Sequence, residues 1–135
     1  MSQKVVIPLL RRTDVNGSLL GSGASQTWTL TTINVVPYYY ATLIVRVHEA
    51  TWTASSLFRI DGYASYPTPE DGREFADTSS RIAASVLQSA TLPAFGTGTD
   101  SNLPVAYKFV AKLTQGTSSA GLFVVASADL LLREA

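Results

Sequence analysis

Residues 103–133 carry a period-two alternation that constrains this chain more than any other feature. In 103–114, Val105, Tyr107, Phe109, Ala111 and Leu113 alternate with Ala106, Lys108, Val110, Lys112 and Thr114. In 122–133, Leu122, Val124, Ala126, Ala128, Leu130 and Leu132 alternate with Phe123, Val125, Ser127, Asp129 and Leu131. Side chains of a strand point to opposite faces in turn, so each run buries one face and leaves the other partly wet. The stretch 115–121 between them is rich in Gly, Ser and Thr and reads as a turn. The two runs are therefore expected to form a terminal hairpin. The wet face of the second run still carries Phe123, Val125 and Leu131, more apolar surface than a lone sandwich needs, which points to association.

The rest of the chain repeats this signal. Residues 4–10 read as a first strand, with Pro8 placing it at an edge or marking its end. Residues 11–26 contain Asp14, Asn16-Gly17 and Gly21-Ser22-Gly23 and read as a loop, so that 1–26 could form an extended arm. Residues 27–36 alternate again around Trp28, Leu30 and Thr32. In 40–50, Ala41, Leu43, Val45 and Val47 form one face and Thr42, Ile44, Arg46 and His48 the other. Residues 57–65 are expected to be the antiparallel partner of 40–50, with Phe58, Ile60 and Ala64 inside. That pairing would bring Arg46 and His48 near Arg59 and Asp61. Residues 66–77 read as a polar loop with room for one helical turn over 69–75. The alanine content of 80–92 permits a helix, but the surrounding β pattern and the lack of a capping box favour a strand. Residues 93–102, rich in Gly and Thr, read as a loop. Six to eight strands with turn signals between them predict an all-β fold: an antiparallel β-sandwich or jelly roll, in a single domain over 1–135.

Composition narrows the function. Cysteine is absent, which excludes a disulfide framework and Cys-ligated zinc. Charged residues make up 15% of the chain, against about 25% in ordinary domains. A surface poor in charge and rich in small hydroxyls suits protein contacts. Net charge is zero and no basic cluster exceeds Arg11-Arg12, so nucleic-acid binding is not expected. The apolar start, residues 5–10, is too short for a signal peptide and is broken by Pro8. No apolar run approaches the roughly 20 residues of a membrane span.

Catalytic chemistry has little support. His48 is the only histidine. A triad could be drawn from His48, Asp61 and one of many serines, but no Gly-x-Ser-x-Gly elbow is present. Glu70, Asp71, Glu74 and Asp77 form an acidic cluster with Arg73 and Arg81 in the same stretch, which reads as solvated loop charge; the calcium-loop pattern is missing. Gly96-Thr97-Gly98-Thr99 lacks the Gly-Lys-Ser/Thr end of a phosphate loop. No cofactor or metal is expected, and the chain does not read as an enzyme. Trp28, Trp52, Tyr38, Tyr39, Tyr40, Tyr63 and Tyr66 either fill core and interface or, as exposed rings, stack on sugars.

The start Val5-Val6-Ile7-Pro8-Leu9-Leu10-Arg11-Arg12, the Thr/Ser/Gly/Ala-rich strands and the run from Tyr107 to Arg133 resemble small virion proteins of tailed bacteriophages, in particular head decoration (cement) proteins. That resemblance implies a protein on the capsid surface, often a trimer, made in the host cytoplasm, that binds itself and a major capsid protein. It implies subunit contacts through Val5, Val6, Ile7 and Leu9 at the start of the chain. It also implies contacts through the uncovered faces of Ile44, Phe123, Val125 and Leu131. The alternatives are a tail, neck or coat protein, or a carbohydrate-binding or adhesin-like module.

Overall fold

A computed structural model of the chain describes residues 4–16, 25–67, 74–114, 116 and 123–134. Eight strands are described: β1 (Lys4–Asn16), β2 (Ser25–Asn34), β3 (Tyr40–Thr51), β4 (Leu57–Pro67), β5 (Glu74–Leu87), β6 (Ala94–Ser101), β7 (Ala106–Thr114) and β8 (Phe123–Arg133). β1 pairs with β8, β2 with β7, β3 with β6 and β4 with β5, all antiparallel. These pairs are nested. Lys4 lies opposite Arg133, Ser25 opposite Thr114, Tyr40 opposite Ser101, and Leu57 opposite Leu87. The first half of the chain thus runs along the second half as one long hairpin bent between β4 and β5. Rolling that hairpin adds the pairs β3–β8 and β4–β7. The result is two four-stranded sheets, A in the order β1-β8-β3-β6 and B in the order β2-β7-β4-β5. An antiparallel hairpin rolled into two sheets is a jelly roll.

The core lies between the sheets and follows the alternation. Sheet A contributes Ala41, Leu43, Val45 and Val47 from β3 and Val124, Ala126, Ala128, Leu130 and Leu132 from β8, all buried. Sheet B contributes Phe58 and Ile60 from β4, Ile82, Ala84 and Val86 from β5, and Tyr107, Phe109, Ala111 and Leu113 from β7. Tyr107 and Phe109 share a face of β7, with ring centroids 5.5 Å apart. Burial of such side chains supplies about 1.5–3 kcal/mol each and is the main stabilising term.

Period two identifies the buried face of a strand but not its partner, and two expected hairpins are corrected for that reason. β3 and β4 do not pair: β3 lies in sheet A and β4 in sheet B, their apolar faces meeting across the core. The connection between them crosses from one sheet to the other. That corner is fixed by a 3.0 Å hydroxyl pair between Thr53 and Ser56 and by the Gly116 N–H donating to Ser56 Oγ at 3.0 Å. Ser55 turns it with φ at 68°. Only glycine takes that backbone without strain, so Ser55→Gly is expected to stabilise the fold by about 0.5–1 kcal/mol, read as a raised urea midpoint. β7 and β8 likewise belong to opposite sheets and form no hairpin.

Two expected loops are largely strand. β1 runs to Asn16 and pairs along β8, so within the stretch read as an arm, Lys4–Asn16 is sheet; residues 17–24 lie outside those described. The loop expected over 93–102 is β6. It was hidden because Gly96 and Gly98 take the inward positions where apolar side chains would signal a strand. Half of the loop expected over 66–77, including most of the helical turn expected over 69–75, lies outside the described residues; the described half is strand, 66–67 in β4 and 74–77 in β5. The stretch 80–92 is strand as far as Leu87.

The glycines of β6 answer to close packing. A Cβ on Gly96 would stand 2.1 Å from the carbonyl oxygen of Ser85, and one on Gly98 would stand 1.9 Å from that of Ala83. The backbone of β5 therefore rests directly on β6, closing the sandwich on this side. A polar network locks the junction. Arg81 on β5 donates to Asp100 on β6 through Nε at 3.0 Å, and to the Ser101 and Asn102 carbonyls at 3.2 and 3.1 Å. The hydroxyl of buried Tyr107 donates to the same carboxylate. Burial, then its bond to Asp100, pushes the Tyr107 hydroxyl well above the ordinary tyrosine range.

Candidate functional site

The outward face of sheet A carries the two most exposed large apolar side chains of the described strands, Val6 and Phe95; Leu87 and Tyr66 are exposed on sheet B. Residues opposite each other in an antiparallel pair share a face, so the register locates each side chain. Val6 lies opposite Leu131, and Leu131 opposite Thr42. Ile44 lies opposite Asp129 and Thr97, and Arg46 opposite Phe95. Val6 and Leu131 thus stand side by side, and Leu131, Ile44 and Phe95 step diagonally from there, so the four cross all four strands. Val6 is 60% exposed and Phe95 71%. Ile44 and Leu131 are half-buried beside them. Diagonal neighbours on a sheet stand about 7–8 Å apart, within reach of large side chains, so the four form a continuous stripe.

The residues expected to make contacts divide on this geometry. Val6, Ile44 and Leu131 lie in the stripe. Phe123 is 37% exposed at the start of β8, opposite Thr51. Val125 is 8% exposed and has little area left to give. Val5 and Ile7 lie opposite Leu132 and Leu130, so they face the core. Leu9 also packs against the core, beside a register shift in β1. Phe95, the most exposed large apolar residue of the stripe, was missed because its strand was read as a loop. The one trace in the sequence is Phe95, Thr97, Thr99 and Ser101 at every second position, and the intervening Ala94, Gly96, Gly98 and Asp100 carry no apolar face to mark a strand.

This face also carries polar groups, among them the cations Lys4 and Arg133 opposite each other. Arg46 and Asp129 approach to 3.8 Å, and His48 Nε2 lies 2.8 Å from Ser127 Oγ. The outward face of sheet B differs. Lys112 lies opposite both Thr27 and Arg59, and Lys108 lies opposite Tyr63. Arg59 is held by Asp61 at 2.9 Å, and the hydrogen bond it donates to that carboxylate raises its pKa above the usual arginine value. A shallow depression around this pair is lined by Tyr63, Lys112 and Thr114. Arg46 and His48 are therefore not near Arg59 and Asp61; the two sets lie on opposite outer faces of the sandwich. A triad linking His48 to Asp61 is not formed.

Glu70 and Asp71 lie outside the described residues, and the described ones hold no cluster of three or more groups able to bind a metal. Trp28, Trp52 and Tyr38 pack against the core. Tyr39 and Tyr40 are exposed, but their rings meet edge-on at 81°, and the Arg133 guanidinium sits 5.1 Å over Tyr40. Stacking on a sugar needs open, coplanar faces, which this pair does not offer.

The nested strand order and two-sheet core define an all-β jelly-roll protein. Among solved structures the chain is similar to one of the infectious bursal disease virus Gx strain, with a TM-score of 0.56 and 11% identity over 99% of this chain and 33% of that one. It is also similar to the crystal structure of the infectious bursal disease virus VP2 subviral particle, with a TM-score of 0.51 and 13% identity over 98% of this chain and 32% of that one. The chain spans about a third of the length of the viral chains it matches. At this identity the likeness is one of fold. No family model matches the sequence, and no curated protein matches it.

Proposed function

We propose that this chain is a non-enzymatic structural component of a virus particle, a decoration (cement) protein that self-associates and braces a shell built by a major capsid protein. The observation that carries the reading is the open apolar stripe Val6–Leu131–Ile44–Phe95 on a rolled module whose other apolar side chains are mostly buried. Exposed apolar patches of this kind mark association sites. The fold likeness to chains of virus structures and the low charge content support it. On this reading the protein resides on the capsid surface, and Phe95 is the anchor of the subunit contact, because a large exposed ring contributes most when it is desolvated.

Light scattering at micromolar concentration tests it. The wild-type chain is expected to give a discrete closed oligomer, a trimer being the form implied by the cement proteins it resembles. Phe95→Asp is expected to lower the mass by at least one subunit contact while the far-ultraviolet circular dichroism stays that of an intact sheet. A wild-type monomer throughout, or an unchanged mass for Phe95→Asp, would remove the stripe as the contact. A coat subunit that forms the shell itself is the second reading, favoured by the near-complete coverage of this chain in its likeness to the subviral particle. Electron microscopy separates the two: closed shells from the chain alone support a coat protein, and small oligomers support decoration.

A further inference from the structure

A sheet edge is a row of unpaired N–H and C=O groups, and folded proteins cover or blunt such edges. Two open sheets give four edge strands, here β1 and β6 in sheet A and β2 and β5 in sheet B. β5 and β6 cover each other, with the Ala83 and Ser85 carbonyls resting on Gly98 and Gly96. β1 is blunted in the usual ways: it contains Lys4, Pro8, Arg11 and Arg12, and its pairing with β8 shifts register twice, between Pro8 and Leu10 and between Leu10 and Thr13.

β2 is different. Its sequence, Ser-Gln-Thr-Trp-Thr-Leu-Thr-Thr-Ile-Asn, has no charge and no proline. Its one register shift falls between Thr29 and Thr31, which leaves 25–29 as a regular, straight stretch of edge. Among the described residues no strand lies beyond it. Ser25, Gln26, Thr27 and Thr29 are exposed, while Trp28 turns inward against the core.

We propose that residues 25–29 of β2 pair antiparallel with the same residues of a second copy of this chain, about a two-fold axis at Thr27, so that two B sheets become one eight-stranded sheet. Antiparallel pairing of a segment with itself is what two-fold symmetry generates. The segment suits itself as a partner. It brings no like charges together, and Thr facing Thr across strands is a favourable pair. The nearest cation on the same face is Lys112, one strand inside the edge opposite Thr27. In the joined sheet the two Lys112 residues stand three strand spacings apart, about 14 Å. That exceeds the roughly 8 Å screening length at physiological salt, so their repulsion does not oppose the contact. An edge pairing adds main-chain hydrogen bonds with little apolar area, so the contact is weak alone and gains from multiplicity. It uses neither the stripe of sheet A nor the virion reading.

The test silences the stripe first. Sedimentation equilibrium is run on the full chain carrying Phe95→Asp, from micromolar to submillimolar concentration, with amide exchange of β2 measured alongside. The expected result is a concentration-dependent dimer in which the 25–29 amides gain protection as dimer forms. Adding Thr27→Lys or Thr27→Glu sets like charges face to face and is expected to weaken dimerisation at least tenfold in each case. An equimolar mixture of the Lys and Glu proteins is expected to dimerise again. A monomer at every concentration overturns the proposal. So does dimerisation that Thr27→Lys leaves unchanged, or a failure of the mixture to recover.

Discussion

Gly98→Val is expected to abolish the native fold at 25 °C, with loss of the cooperative unfolding transition and of protected amides in β5 and β6. A Cβ at this position would lie 1.9 Å from the Ala83 carbonyl oxygen, a backbone atom that cannot swing aside as a side chain can. Moving it means moving β5, which is held along β4 by the pairs Asp61–Ala83 and Arg59–Ser85. A substitution of this kind exceeds the usual 0.5–3 kcal/mol, and more than about 4 kcal/mol is expected. Total stability of a domain this size is about 5–15 kcal/mol, so such a loss leaves little or none. Thr97→Val, one residue away on the exposed face, is the control and is expected to change stability by less than about 0.5 kcal/mol.

Asp100→Ala is expected to be the next most damaging change, destabilising by about 3 kcal/mol in urea. It strips the acceptor from Arg81 and from the Tyr107 hydroxyl together, leaving a buried donor unsatisfied. Tyr107→Phe removes donor and need together and is expected to cost less than half as much. The same hydroxyl sets an alkaline limit. Its folded-state pKa is raised above the unfolded value, so in alkali the unfolded chain loses the proton first. Its contribution is intact below about pH 10 and falls by about 1.4 kcal/mol per pH unit above it. Urea midpoints between pH 9 and 11 are expected to show this slope in the wild type and a shallower one in Tyr107→Phe.

How legible this was depended on side chains. The inward faces of β3, β4, β7 and β8 could be read directly, because Leu43, Phe58, Phe109 and Leu130 recur at period two among more polar neighbours. β6 could not, because glycine at 96 and 98 serves close packing and leaves no apolar mark. Partner choice was also illegible. The sequence neighbours β3 and β4 looked like a hairpin, yet their apolar faces meet across the core, and nothing in local pattern distinguishes pairing within a sheet from facing across two. On the outward face of sheet A, Ile44 and Leu131 were recognisable as apolar residues on a wet face. Val6 could be named only together with Val5, Ile7 and Leu9, because which of them point outward depends on the register of β1 with β8. The Asp100 network was invisible because its members come from three consecutive strands divided between the two sheets, and only the three-dimensional packing of β6 on β5 brings them together.

The nesting of the strands also orders events in time. Among the described residues β8 is the one strand paired with β1, and it lies between β1 and β3. During synthesis β1 is made before the other described strands and waits for its β8 partner until residues 123–133 follow, while the innermost pair, β4 with β5, can form long before. Sheet A is therefore completed from the last made of its four described strands. A nascent chain cut short within β8 would leave β1 without that partner, and a chain read through to Arg133 would present the finished face of sheet A.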